Sequence, residues 1–241
     1  MKSLASKLIK AVLRKAGYEL HKIQFSPMTR LLGATQLPVR TILDVGANEG
    51  QFARMISSYF PQAAMYCFEP VPEAFAVLED WAATQHGRVM PIKCALGEVE
   101  GSLTMLKHDQ HTSSSSFLAT TTRCEEIYPE TRAKSSISVD CHTLDNAVGR
   151  FSLALKPDIL IKLDVQGYED RVIKGGQQTF PKANVVILEV SLVPLYETQP
   201  TFAQVAGRME ALDFDYAGSL EQPCNGEGRL LSIDAVFFKR K

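Results

Sequence analysis

From residue 39 onward, short apolar runs alternate with amphipathic segments, and this alternation leaves few folds open. Residues 39–45, 64–68, 89–95, 158–163 and 185–190 read as strands. Residues 49–60, 72–83, 168–174 and 201–212 read as helices. Phe52, Ile56, Tyr59 and Phe60 share one helical face, and Phe75, Leu78 and Ala82 share another. Pro61 ends the first helix and Gly175-Gly176 stops the third. The run at 158–163 is apolar almost throughout, as in a strand covered on both faces. Residues 213–219 and 232–239 are two strands with no helix between them, which predicts an antiparallel terminal hairpin. The expected fold is α/β: a doubly wound, mostly parallel, seven-stranded Rossmann-like sheet with a C-terminal β-hairpin, preceded by an N-terminal helix.

The alternation lapses between residues 102 and 141. Residues 102–107 and 136–141 read as strands, and the polar, Ser- and Thr-rich segment 109–122 as a loop. An insertion between two α/β units is the natural place for an element that covers a substrate.

Residues 1–35 stand apart as a basic amphipathic helix and linker, leaving 36–241 as the main domain. Lys2, Lys7, Lys10, Arg14 and Lys15 interrupt an apolar face of Leu4, Leu8, Ala11 and Val12. These lysines do not suit a signal peptide. The favoured reading packs the leucine face on the main domain; the alternative lays residues 2–15 on an anionic membrane surface. No run of about 18 apolar residues is present to span a membrane. The five cysteines contain no Cys-x-x-Cys and read as reduced, mostly buried thiols, in keeping with a cytoplasmic setting that extends to the inner membrane face. The 241 residues carry a net charge of −1, which argues against nucleic acid as a partner.

Ligands of doubly wound sheets bind at the carboxyl ends of the strands. The first strand ends in Asp44-Val-Gly46-Ala-Asn48-Glu-Gly50. Gly46 and Gly50 permit positive φ and a close ligand approach. A dinucleotide fingerprint would need glycines at 48 and 51, where Asn48 and Gln51 stand, and no phosphate-loop Gly-Lys-Ser/Thr follows. Asp44 would repel a pyrophosphate and suits a cationic ligand. The second strand ends in Glu69, placed to accept from both hydroxyls of a ribose. A phosphate-free adenosine with a positive tail fits these ends, and S-adenosylmethionine is such a ligand. A nicotinamide-dependent oxidoreductase is the rival enzyme reading. A catalytically inactive cofactor-binding module of a membrane-associated assembly is the rival outside enzymes.

The segments ILDVGANEGQFA, FEPVPEAF, CALGEVEGSL, ILIKLDVQGYEDRVIKGG and SIDAVFFKR resemble, in order, the motifs of the FkbM-type family of S-adenosylmethionine-dependent methyltransferases. The resemblance covers roughly residues 38–240. It implies that Asp44, Gly46, Asn48 and Gly50 hold the methionine end, that Glu69 holds the ribose, and that Ala95-Leu96 borders the adenine. It also implies O-methylation of a small molecule or saccharide acceptor. Many members carry an acid where this chain has Gln166, so no chemistry is assigned to that residue.

Transfer to a hydroxyl requires removal of its proton, by a base or with the help of a metal. Asp164 ends the fourth strand and is the first candidate; Glu189 ends the fifth. The alternative for Asp164 is a structural cap on the turn at Gln166-Gly167. A divalent metal shared by the two carboxylates is not favoured. Lys162 lies on the same side of its strand as Asp164 and is expected to pair with a carboxylate. His111, beside Ser113–Ser116, is a candidate base from the insertion; His108 with it makes only a weak metal pair, and His142 reads as structural. Tyr168 borders the acceptor or packs in its helix.

Overall fold

The computed structural model describes residues 12, 13, 15 and 31–240. The expected N-terminal helix, and the alternative that lays residues 2–15 on a membrane surface, fall almost wholly outside the described residues. Among residues 31–240, ten strands and six α-helices follow in order: β1 Thr41–Val45, α1 Gln51–Ser57, β2 Ala64–Phe68, α2 Pro72–Ala83, β3 Val89–Ile92, β4 Ala95–Leu96, β5 Gly101–His108, α3 Thr122–Ile127, β6 Lys134–His142, α4 Leu144–Arg150, β7 Ile159–Leu163, α5 Glu169–Lys174, β8 Val185–Ser191, α6 Phe202–Ala211, β9 Phe214–Ser219 and β10 Ser232–Lys239.

Seven strands form one sheet in the order β3-β2-β1-β7-β8-β10-β9. The pairs β1–β2, β2–β3, β1–β7 and β7–β8 are parallel; β10 is antiparallel to both neighbours. The order reverses between β1 and β7, and the crevice at that reversal is where such sheets bind ligands.

Side-chain alternation along the strands splits the core into two layers. Leu43, Val45, Ile161, Leu163, Val186 and Leu188 pack on the side of α4, α5 and α6. Ile42, Leu160, Val185, Ile187 and Val236 face the opposite side, against Ala53 and Ile56 of α1 and Leu78 and Ala82 of α2. Leu31 and Ala34, in a short 3-10 helix before β1, are buried in this second layer.

The apolar rows of the second layer turn polar at the carboxyl ends of the strands. Ile42 is followed two residues on by Asp44, Leu160 by Lys162 and Asp164, and Ile187 by Glu189. On the antiparallel β10, Asp234 takes the matching place beside Glu189. Two-residue periodicity thus carries one face of the sheet from core into a charged cluster.

The apolar run at 89–95 divides into two elements. Pro91 pairs opposite Cys67 on an edge strand, where its missing N–H is tolerated. The chain then turns, with the Cys94 amide donating to Ile92 O, and Ala95–Leu96 joins β5 and β6 in a separate three-stranded sheet, ordered β4-β6-β5. The polar segment after β5 ends in α3, begun by Thr121 accepting from the Cys124 amide. Helix α4 begins in the same way, with Thr143 accepting from the Asn146 amide. Both helices have six or seven residues and single Thr caps, too little periodicity to read from sequence.

Candidate active site

The turn after β1 is shaped by backbone rather than by side chains. Gly46, Asn48 and Gly50 have φ of 77°, 47° and 85°. Gly46 lies against the end of β7: a Cβ built on it would sit 1.9 Å from the Asp164 carbonyl oxygen. The turn is tied to β2, with the Gly46 and Ala47 amides both donating to Phe68 O.

Glu69 joins the same turn from the other side. Its Oε2 accepts from the Asn48 amide at 2.7 Å and its Oε1 from the Val71 amide at 2.7 Å. Each oxygen keeps a lone pair toward the cleft. Burial pushes the Glu69 pKa up to about 7, against the pull of those two amides.

Asp44 is buried beneath the turn, and its Oδ2 has no hydrogen-bond partner among the described residues. Burial lifts its pKa to about 7, with the nearby Asp164 charge adding to the rise and the Lys162 ammonium opposing it. A buried carboxylate oxygen left without a donor marks a place for a ligand that brings one.

Lys162 is 3% exposed and donates to Asp164 Oδ2 at 3.3 Å, with Asp234 Oδ1 at 3.6 Å. Burial works against its charge, but the surrounding carboxylates outweigh it and raise its pKa. Gln166 Nε2 donates to Asp164 Oδ1 at 2.7 Å and to Glu189 Oε2 at 2.6 Å. Its Oε1 accepts from the Tyr196 hydroxyl at 2.7 Å, which also lies 3.0 Å from Ser114 O. Burial favours a neutral Asp164, yet Lys162 and the donated hydrogen bonds hold its pKa below the ordinary range. Glu189 moves the other way, driven first by the Asp164 charge and then by burial. The environment thus favours the ionised form of Asp164 and the protonated form of Glu189.

Three clefts share Ser113 and Asp164 in their linings. The first, of about 510 Å³, is lined by Glu69, Ala95, Leu96, Phe117 and Tyr168 among others. The second, of about 450 Å³, lies over Asp44, Asn48, Phe52 and Lys162. The third, of about 650 Å³, is lined by His111, Tyr128, Gln166, Glu189 and Tyr196 among others.

The structure thus brings Asp44, Gly46, Asn48, Glu69, Ala95 and Leu96 around the first two clefts, and Asp164, Glu189 and His111 around the third. Gly50 stands back from the clefts, closed in by Leu78 and Trp81. The insertion covers this site: Thr112 donates to Asn48 Oδ1 at 3.1 Å, and Ser116 to Gln166 O at 2.8 Å. His108 is wholly buried and lines none of the three clefts. His142 pairs with Glu100 at 2.7 Å, away from the site. Tyr168 borders the first cleft, its ring 5.0 Å from that of Phe117.

The structural cap at the turn is Glu169, a residue without a signal in the sequence. Its Oε1 accepts from the Val165 and Gly167 amides at 3.1 and 3.2 Å. Asp164 is thereby left for the cleft. Tyr196, Tyr128 and Asp234 were equally silent, because they come from loops and from β10 and meet the others only in three dimensions. Among the described residues, no group of three or more His, Cys, Asp or Glu is arranged to hold a metal ion.

A seven-stranded sheet of this order, with an acid–glycine turn after β1 and a buried acid after β2, defines the class I methyltransferase architecture. The profile of the methyltransferase FkbM domain matches residues 44–216, and the chain belongs to the FkbM methyltransferase family. It is an S-adenosylmethionine-dependent methyltransferase. It is 30% identical over 182 residues to the 2-O-methyltransferase NoeI of Sinorhizobium fredii, spanning 70% of this chain and 71% of that one. It is 26% identical over 147 residues to the hexuronic acid methyltransferase AglP of Haloferax volcanii, spanning 61% and 54%. The crystal structure of methyltransferase FkbM from Methylobacillus flagellatus shares the fold, with a TM-score of 0.52 at 12% identity over 83% of this chain and 44% of that chain. No described helix is long and apolar enough to cross a membrane.

Proposed function

We propose that this protein methylates a hydroxyl oxygen of a sugar or related small molecule, with Asp164 as the general base. The observation that carries the reading is the place of Asp164 in all three cleft linings: with Glu69, Ala95 and Leu96 in the first, with Asp44 and Asn48 in the second, and with His111, Gln166 and Glu189 in the third. The relatives named as a 2-O-methyltransferase and a hexuronic acid methyltransferase support an oxygen acceptor on a sugar.

The residues present fit S-adenosylmethionine. Asp44 Oδ2, buried and lacking a donor, suits an α-ammonium, and the close backbone at Gly46 leaves room for a ligand over the turn. Asn48 and Gly50 shape that turn. Glu69 would accept from the ribose hydroxyls, and Ala95-Leu96 would flank the adenine. When bound, the cofactor supplies a methyl group activated on a sulfonium. Asp164, ionised beside Lys162, would take the hydroxyl proton as the O–CH3 bond forms and the S–CH3 bond breaks. Glu189, holding its proton, and His111 would orient the acceptor. Closure by the insertion would exclude water.

Incubation with labelled methyl donor and fractionated cell extract tests the reading. The expected product is a glycan or small molecule carrying a new methyl ether; label on nitrogen, carbon or nucleic acid alone would sink it. Glu69→Gln adds a sharper check. An amide can accept through only one of its two heavy atoms, so one of the Asn48 and Val71 amides would lose its partner as well as the ligand its carboxylate. Lost bonds of this kind are worth about 2–3 kcal/mol, so S-adenosylhomocysteine should bind roughly 30- to 150-fold more weakly. An unchanged dissociation constant by calorimetry would remove Glu69 from the site.

Binding should also depend on pH. Asp44 and Glu69 keep protons up to about pH 7 in the folded chain but only to about pH 4 when unfolded. Their contribution to stability is therefore greatest at low pH and is lost as pH rises from about 4 through 7. A ligand that donates to both carboxylates favours their ionised forms. S-adenosylhomocysteine should thus bind more tightly at pH 8 than at pH 6, and release protons at pH 6. Calorimetry at pH 6 in buffers of different ionisation heat would detect this release; tighter binding at pH 6 with no release would contradict it.

A further inference from the structure

We propose that the third cleft selects an uncharged, hydroxyl-rich sugar and rejects a sugar that carries a carboxylate. The inference rests on the reading of this cleft as the acceptor site and adds the chemical class of its occupant.

The argument is a count of donors and acceptors around the cleft. Both N–H groups of the Gln166 amide are spent on Asp164 and Glu189. The hydroxyl proton of Tyr196 is spent between Gln166 Oε1 and Ser114 O. Ser232 donates to Glu189 Oε1 at 3.3 Å. The hydroxyls of Ser113 and Ser114 both lie on His111 Nδ1, at 3.1 and 2.7 Å. Most of the polar protons fixed around the cleft are thus committed within it, and the two carboxylates, Asp164 and Glu189, dominate what the cleft presents to a ligand. The Tyr128 hydroxyl, the His111 ring and one of the two serine hydroxyls complete the polar lining with uncommitted capacity.

Charge points the same way. Among the described residues that line the cleft there is no Lys or Arg. Lys162 lies behind Asp164 and is shared with Asp234, so its charge is already matched. A ligand rich in hydroxyls brings donors to a surface that offers acceptors. A ligand carboxylate would meet the Asp164 charge without a cation in the lining to receive it, which disfavours binding. Gln166 is the specificity determinant: fixed by Tyr196, it cannot rotate its amide to offer N–H groups to an incoming anion without stranding two carboxylates.

The test compares methyl α-D-glucopyranoside with methyl α-D-glucopyranosiduronate on the full chain saturated with S-adenosylhomocysteine, at pH 8, by titration calorimetry or NMR. These probes differ only in a CH2OH against a carboxylate. The neutral glycoside should bind at least tenfold more tightly, and the double variant Asp164→Asn/Glu189→Gln, which leaves neither carboxylate in the cleft, should narrow the difference to about threefold. Equal or tighter binding of the uronate overturns the inference, as does saturable binding of neither sugar. Saturation with S-adenosylhomocysteine is measured first in the same sample. Its failure would count against the proposed function itself, whereas normal cofactor binding with the wrong sugar preference would count against the selectivity alone.

Discussion

Gly46→Ala is expected to abolish S-adenosylhomocysteine binding and to lower the melting temperature by about 10 °C. Two separate effects combine. The first is conformational: φ is 77° at Gly46, and an L-residue there loses about 1–2 kcal/mol. The second is steric: the new methyl group would sit 1.9 Å from the Asp164 carbonyl oxygen and 2.8 Å from its carbon. Neither atom belongs to a flexible side chain, so β1 and β7 must part at the crevice, at roughly 1–3 kcal/mol or more for an overpacked site. A sum of about 2–5 kcal/mol corresponds to roughly 10 °C in a domain of this size. Gly87→Ala is the matched control. Gly87 has the same φ of 77° but nothing within 4 Å of an added Cβ. It should show the conformational loss alone, a few degrees, with cofactor binding intact. If Gly46→Ala behaves like Gly87→Ala in both readouts, the turn after β1 does not lie against β7 as described.

The contrast between these two glycines also marks what a sequence can convey. Gly46 stood out because it followed a strand and an aspartate, a local pattern. Its close approach to Asp164, 118 positions away, became visible only once β1 and β7 were neighbours in register. The strands were legible because each is a short apolar run with clear punctuation; residues 64–68 and 72–83 appear in the structure with the bounds that alternation suggested. The division of 89–95 between two sheets was not legible, because β3 and β4 are equally apolar and the break is made by pairing partners. Short helices such as α3 and α4 escaped notice for want of a full amphipathic period.

The acidic cluster divides in the same manner. Asp44, Asp164 and Glu189 each end an apolar strand, so their shared location follows from the fold class. Lys162 was expected beside a carboxylate by two-residue spacing, and it lies between Asp164 and Asp234. Asp234 reaches the cluster only because β10 runs antiparallel next to β8, opposite Glu189. Gln166 was readable as a departure from an acid but not as a bridge, since its role depends on Tyr196 from a loop 30 positions later. Local pattern therefore placed the groups that strands carry, while the groups that orient them came from long-range topology.

Asp164→Asn should lower kcat by about 10²–10⁴, the range of a lost general base, with the S-adenosylhomocysteine dissociation constant changed by less than threefold. Glu189→Gln should lower kcat by only about tenfold. The asymmetry follows from the single proton of the pair. Glu189 carries it, and a glutamine imitates a protonated glutamic acid in shape and hydrogen bonding. An asparagine at 164 cannot imitate an ionised aspartate. One compensation works against this result: the Asp164 charge is the main force raising Glu189, so its removal lets Glu189 ionise near Lys162. Asp164→Asn would then retain a displaced base, and its residual activity should fall further in the double variant Asp164→Asn/Glu189→Gln. If the double variant were no worse than Asp164→Asn, Glu189 would have no share in the residual rate. If instead Glu189→Gln were the more damaging single change, the proton would sit on Asp164 and the assignment of base and acid would have to be exchanged. Rates of the three variants, measured with the acceptor identified by methyl labelling, separate these outcomes.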